Sequence, residues 1–597
     1  MAVVGRFDGR YRTAGKLLEL AFSAVLVAFP ALALAQAAPI APPSRSEIER
    51  APATRSQPRA RLTVEGGVER APCALDDPAY QAIRIKLTAA NFKHLDPVPA
   101  AEMKASYAEF IGTDQPISVV CRIRDAAATR LRALGYVAAV QVPAQRIENG
   151  VVDFEVLFAR LTQVRVVGTP GRSEKVVQAY LSRLADGQLF NRYRAERFLL
   201  LARDLPGYEV RLALKPAGTG PGEMIGEVWV NYIPVLLDFS LQDYAAPSTG
   251  RFDGQLRAVF NGLTGMGDRT TLALSSTVQP KKQQVLQLGH EMALGGEGLR
   301  LGTRFTYAWT QPDLGPTVPD VQVRTLLAGL DLSYPLVRSQ QLTLKGTAGL
   351  DYVNQRVRLA GLPLSEDRLR TIFARLDLEA IDLAGTGPDG TVGWKLTASI
   401  EGRKGLSVLS ASPDCVTQHA YCVTPGVVTP SLPTGDPQAA LLRFSAALEM
   451  HPLSHWVLAV SPRAQLASGS LFAFERISGG NYTIGRGFDP GALSGDDGIG
   501  FQTELRYESL VLSAKRQIDA RPYVFADNLW LWDRSAANPQ PQLLSTVGGG
   551  MRIGIGSRAR LDLAGAAPMV RLPGEVMRRD PRFLMTLAMN LYPWSAQ

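Results

Sequence analysis

The most distinctive chemistry-bearing stretch of the chain is glycine-rich: Ile477-Ser478-Gly479-Gly480-Asn481-Tyr482-Thr483-Ile484-Gly485-Arg486-Gly487-Phe488, running on to Gly495-Asp496-Asp497-Gly498. Glycines let the backbone turn sharply and approach a neighbour closely. The lone Arg486 among them offers a planar fork of donors. A loop that cradles phosphate needs a helix after it, and none follows residue 498, so nucleotide binding is not expected. An exposed loop with an incidental arginine is the plain alternative. No catalytic set stands out: HExxH and GxSxG are absent, and His94, His290, His419, His451 and His455 are scattered without ligand spacing. Cys73, Cys121, Cys415 and Cys422 form no zinc-like pattern. No enzyme activity, metal or cofactor is expected.

The elements that must hold such a loop follow from composition and periodicity. The chain has 597 residues, 46% of them apolar, enough for a substantial core. Its net charge of +9 comes without a dense Lys/Arg block, so a nucleic-acid partner is not expected. Arg6, Arg10, Arg12 and Lys16 precede an apolar run over 17–34 that ends in Ala33-Leu34-Ala35, which reads as a signal peptide over 1–35, with a membrane anchor as the alternative. Export makes disulfides the simplest use of the four cysteines, paired as Cys73 with Cys121 and Cys415 with Cys422. Beyond residue 36 no apolar stretch is long enough for a spanning helix, so a membrane role requires a β-barrel.

Residues 36–62, rich in Ala, Pro, Ser and Arg, read as a linker, with a short helix near 44–50. Residues 63–160 and 161–232 read as two copies of one β-α-α-β-β unit. In the first, a strand at 80–87 leads into helices near 99–110 and 117–134. From 233 to 597 a period of two takes over, as in Phe501, Thr503, Leu505 and Tyr507 against Gln502, Glu504, Arg506 and Glu508. Sixteen such segments begin near 235, 255, 269, 283, 298, 322, 340, 368, 391, 439, 455, 499, 519, 543, 558 and 583. Short connections alternate with long ones at 310–321, 354–367, 403–438 and 470–498. A large β-sandwich would also alternate, but it has no reason to sort its loops by length. The expected fold is therefore an all-β, sixteen-stranded transmembrane barrel preceded by two α+β domains.

With that frame, the glycine-rich loop resembles the sixth extracellular loop of the two-partner secretion transporters, the haemolysin and haemagglutinin secretion/activation proteins. That loop carries a V/I-R-G-Y/F tetrad; here it reads Gly485-Arg486-Gly487-Phe488. The turn Gly262-Leu263-Thr264-Gly265-Met266-Gly267-Asp268 and the stretch Ser333-Tyr334-Pro335-Leu336-Val337-Arg338 are similar to other turns of the family. Gly135-Tyr136 through Pro143-Ala144-Gln145 is similar to a segment of its polypeptide-transport-associated (POTRA) domains.

The resemblance implies that loop 470–498 folds into the lumen and that Arg486 pairs with an aspartate in an F-x-D-x-G pattern. Phe525-Ala526-Asp527 matches its first half, with Leu529 in place of the glycine. It also implies an outer-membrane location in a Gram-negative bacterium, periplasmic N-terminal domains with a partner-capture region around Gly135, Tyr136, Pro143 and Gln145, and insertion by the barrel-assembly machinery into outer-membrane lipid. The expected cargo is a large secreted adhesin- or haemolysin-like protein. The alternatives are a barrel-assembly factor of the same superfamily and a passive porin. Family members tend to end on an aromatic residue, whereas this chain adds Ser595-Ala596-Gln597 after Trp594.

Overall fold

The computed structural model describes residues 42–49, 64–65 and 73–593, apart from positions 81, 170, 186–187, 221, 383–392, 509, 514, 516 and 536–539. The expected signal peptide and most of the linker lie outside these residues. The first described element, α1 (Arg45–Ile48), is a single turn opened by a capping box, in which Ser44 and Glu47 satisfy each other's backbone N–H groups.

The first N-terminal domain has a three-stranded sheet in the order Ala89–Lys93, Val151–Phe158, Ala138–Gln141, the first pair parallel and the second antiparallel. Helix α2 (Val119–Ala133) places Val120, Ile123, Ala127 and Leu131 at helical spacing against Val152, Phe154 and Val156, which alternate on one face of the central strand. Two expectations need correction. The strand expected at 80–87 is only Arg84–Lys86, paired outside this sheet with Asp114–Pro116; the sheet strand is Ala89–Lys93. Its Ala-Ala-Asn sequence has weak strand propensity, and the parallel partner Val151–Phe158 supplies what local sequence does not. The helix expected near 99–110 is one turn, Ala100–Met103, followed by two 3-10 turns.

The second domain packs α3 (Glu174–Leu181) and α4 (Arg192–Arg203), the latter capped by the Asn191 side chain, onto strands Arg160–Gly168, Glu223–Tyr232 and Tyr208–Pro216. Val64 and Glu65 pair parallel with Leu212 and Ala213 at the edge of this sheet.

From β1 (Val235–Gln242) to β16 (Arg582–Tyr592), sixteen antiparallel strands close into a barrel, β1 pairing with β16. The strands start within six residues of the positions read from alternation, and the twelfth is interrupted near residue 508. The long loop expected over 354–367 is instead strand: β7 (Leu342–Leu359) and β8 (Leu362–Ile381) form one tall hairpin. Ala360 and Gly361 turn it with φ of 50° and 79°. Both φ values are positive, as a two-residue turn matching strand twist requires.

The second domain seats on the near rim of the barrel. Ser173 Oγ accepts the Gly267 N–H at 3.1 Å, and Tyr232 donates its hydroxyl to the Asn261 carbonyl. A Cβ on Gly262 would lie 2.5 Å from the Tyr232 hydroxyl, and one on Gly267 2.8 Å from Leu205. Both glycines also have positive φ, so the glycine-rich turn is shaped for this contact. Asp268 closes the turn. Burial opposes its charge, but the Thr264 hydroxyl and N–H outweigh burial and hold the carboxyl below its usual range.

Candidate functional site: a closed lumen

The loop between β11 (Trp456–Ala467) and β12 (Asp497–Tyr507) descends into the barrel. At its tip the Arg486 guanidinium meets Asp527 of β13 (Ile518–Trp532): Nε donates to Oδ2 at 3.0 Å and Nη2 to Oδ1 at 2.7 Å, while the Arg486 backbone N–H adds a third bond to Oδ2 at 3.0 Å. The guanidinium carbon lies 3.5 Å from the Phe525 ring centroid, and Nη1 reaches Glu504 at 3.3 Å. Asp527 is fully buried. A buried carboxylate with a planar, bidentate, stacked arginine is a geometry that lysine cannot reproduce.

The neighbouring residues explain the departures from the family pattern. Gly487 donates to Thr546 Oγ1 at 3.3 Å and passes so close to Pro568 that a Cβ would lie 3.1 Å from its nitrogen. Phe488 is fully buried with Ile477, Ile484, Leu531 and Leu544, and Leu529 belongs to the same cluster. Leu529 thus fills the space beside the loop, and room is made on the loop side: a Cβ on Gly479 would lie 2.7 Å from Leu529 and 2.2 Å from Leu544. Ile484, displaced from the tetrad, packs in the cluster one residue earlier.

A second segment closes the lumen beside this loop. Ser44 and Ser46 both bond Ser478 Oγ, at 3.0 and 2.8 Å. Arg45 reaches Glu475 at 2.9 Å and Asp351 at 3.1 Å, where Arg403 and Arg443 also converge. Ile48 is buried against Val285, Ala308, Leu327, Phe472 and Phe474. Sequence reasoning found the helix but none of these partners, because 430 positions separate Arg45 from Glu475. The only local signal was the Ser-x-x-Glu start.

Gly135 and Tyr136 sit where the two N-terminal domains meet. Arg192 N–H donates to the Gly135 carbonyl at 2.7 Å, and a Cβ on Gly135 would lie 2.4 Å from the Tyr193 ring. Tyr136 packs edge-on against Phe158. Gln145 uses its side-chain amide as a short strand, accepting from Asp153 N–H at 2.8 Å and donating to the Asp153 carbonyl at 2.7 Å, with Pro143 at the start of the same loop. Lys93 and then Asn91 hold the Asp153 carboxyl below its usual range. These four residues therefore brace the domain frame. Cys73 is bonded to Cys121, and Cys415 to Cys422.

A closed sixteen-stranded barrel with an inward-folded, arginine-locked loop and N-terminal α+β domains defines the class of outer-membrane protein transporters. Residues 228–553 match the family model described as haemolysin secretion/activation protein ShlB/FhaC/HecB, and the chain belongs to that family. Among solved structures it is similar to CdiB from Escherichia coli, with 18% identity and a TM-score of 0.68 over 88% of this chain and 94% of that one. CdiB from Acinetobacter baumannii gives 17% and 0.61 over 88% and 94%. BamA from Haemophilus ducreyi lacking POTRA domains 1–3 gives 14% and 0.50 over 86% and 100%. At these identities the likeness is one of fold. No curated protein matches the sequence.

Proposed function

We propose that this chain is the transporter of a two-partner secretion pair: its N-terminal domains lie in the periplasm, capture an unfolded exoprotein, and pass it through the barrel. The observation that carries the reading is the double closure of the lumen by two segments, α1 and loop 468–496, held by polar and ionic contacts. A passive porin has no use for two removable stoppers. Capture uses strand edges: among the described residues Ala138–Gln141 has a hydrogen-bonded strand neighbour on one side only, so an extended segment can add there as a strand. Folding of the cargo outside the cell supplies the drive. When α1 leaves, Asp351 keeps Arg304 and Arg403, and Glu475 keeps Arg403 and Arg443, which lowers the cost of opening.

The test deletes residues 63–232 and follows export of a co-expressed exoprotein. Loss of export with a barrel still inserted is expected; export that persists removes the capture step. A general fall in other outer-membrane barrels would favour a barrel-assembly factor.

A further inference from the structure

On the outer wall of the barrel, above the lipid-facing band, arginines stand side by side where strand pairing alone disfavours them. β6 (Val321–Arg338) presents Leu326, Ala328, Leu330, Leu332 and Tyr334 outward, and Arg324 is the first charge beyond them. About ten residues separate Tyr334 from Arg324, which at ~3.3 Å per residue and a ~40° tilt climbs roughly 25 Å, the height of an outer-membrane apolar band. β5 (Leu299–Thr310) marks the same level with Tyr307 and Trp309, an aromatic pair 4.4 Å apart, and Trp309 is the direct cross-strand neighbour of Arg324. The next neighbour around the wall is Arg356, directly opposite Arg324 in the register of β6 and β7. Like charges so placed repel. Arg358 follows one outward position higher, opposite Gln322, and Arg368 of β8 one position lower, opposite Asn354.

Their parity fixes them outside: Leu327, Val353 and Leu369, on the alternate positions, pack with Ile48 in the lumen. Two carboxylates share the face. Glu366 pairs with Arg356 at 2.8 Å, and Asp320 is engaged by Gln311 and Gln322. Among the described residues Arg324, Arg358 and Arg368 form no ion pair, and the Arg368 Nε is buried without a hydrogen-bond partner. Below this row Arg370 donates Nε to the Leu409 carbonyl at 3.1 Å and so pins loop residues Val408 and Leu409, both exposed, beside the top of the apolar band. The arrangement is cationic above and greasy below, matching an amphiphile that carries phosphate on its headgroup.

We propose that Arg324, Arg356 and Arg358 form a binding site for the phosphate groups of a phosphorylated glycolipid in the outer leaflet, with Arg368 beside them and Val408 and Leu409 against its acyl chains. The assignment to the outer leaflet rests on the orientation proposed above.

The experiment titrates bisphosphorylated lipid A into the purified full chain in detergent and reads binding by native mass spectrometry. The wild type is expected to bind, Arg356→Ser to bind about tenfold more weakly, and the triple variant Arg324→Ser/Arg356→Ser/Arg358→Ser to bind no better than lipid A stripped of both phosphates. Heat-modifiable gel migration establishes that each variant is a folded barrel, and Lys281→Ser, a charge removed elsewhere on the same rim, serves as the matched control with unchanged binding. Unchanged binding by the triple variant, or equal binding of the dephosphorylated lipid, overturns the proposal. Full displacement by millimolar inorganic phosphate also overturns it, in favour of a small-anion site. Separately, Arg358→Cys is labelled on intact cells with a membrane-impermeant maleimide. Labelling only after lysis refutes the orientation, whereas the detergent titration decides the phosphate site whichever way the barrel faces.

Discussion

Arg338, the last residue of β6, grips Asp204, which follows α4, with both arms of its guanidinium: Nε to Oδ2 at 2.5 Å and Nη2 to Oδ1 at 2.7 Å. The Arg338 side chain is 3% exposed and that of Asp204 43%. The pair joins the second N-terminal domain to the barrel at the rim end of β6, where Arg197 also donates to the Pro335 carbonyl.

Replacing Arg338 by Ala leaves a half-exposed carboxylate that water can serve, so the cost is expected to be about 1–2 kcal/mol of docking energy and not the larger figure of a fully buried pair. Limited proteolysis between residues 232 and 235 should speed up accordingly. The double reversal Arg338→Asp/Asp204→Arg should recover part of the protection, and no recovery would mean that the two residues act independently.

Arg486→Ala strands Asp527 without its guanidinium in a fully buried position, a loss of about 3–5 kcal/mol from the seating of the loop. Export should fall while barrel insertion is retained, and single-channel conductance should become noisier. Asp527→Asn, which keeps an acceptor for the Arg486 N–H, should fall between the two. Equal export by wild type and Arg486→Ala would remove the lock from the mechanism.

Arg45→Ala removes contacts to both Glu475 and Asp351 and is expected to release α1 more often. The measurement is conductance in planar bilayers: the variant should open more frequently than wild type, and removal of residues 43–49 should open the pore further. Because the ion cluster is buried, raising salt within the wild type should change opening less than the substitution does. A variant as quiet as wild type would show that Ile48 and the serines suffice to hold the plug.

The disulfides differ in what they constrain. Cys73–Cys121 closes 48 residues, an entropic effect of about 4 kcal/mol on the first domain, against roughly 2.5 kcal/mol for the 7-residue spacing of Cys415–Cys422. Cys73→Ser should therefore lower the thermal midpoint of the N-terminal domains and leave barrel melting unchanged. Cys415→Ser should change only protease sensitivity within loop 406–439.

The sequence by itself determined the barrel. Each strand must show lipid one apolar face and the lumen one polar face, so alternation such as Phe583, Met585, Leu587 and Met589 is imposed residue by residue and survives in a single chain. Gly-rich turns were legible for the same reason, since a tight turn restricts residue type locally, whereas the role of Arg486 was legible only through the resemblance of its loop to a family pattern. Tertiary structure decided the rest. The weak strand Ala89–Lys93 is held by its parallel partner Val151–Phe158, and the hairpin of β7 and β8 continues past the membrane because Val353 and Leu369 pack on Ile48 inside. The plug site at Arg45, Glu475, Asp351 and Arg403 draws its members from four distant segments, and no local pattern announces a charge whose partner is hundreds of residues away. Only closure of the barrel brings them within reach of one another, and only burial makes their pairing obligatory.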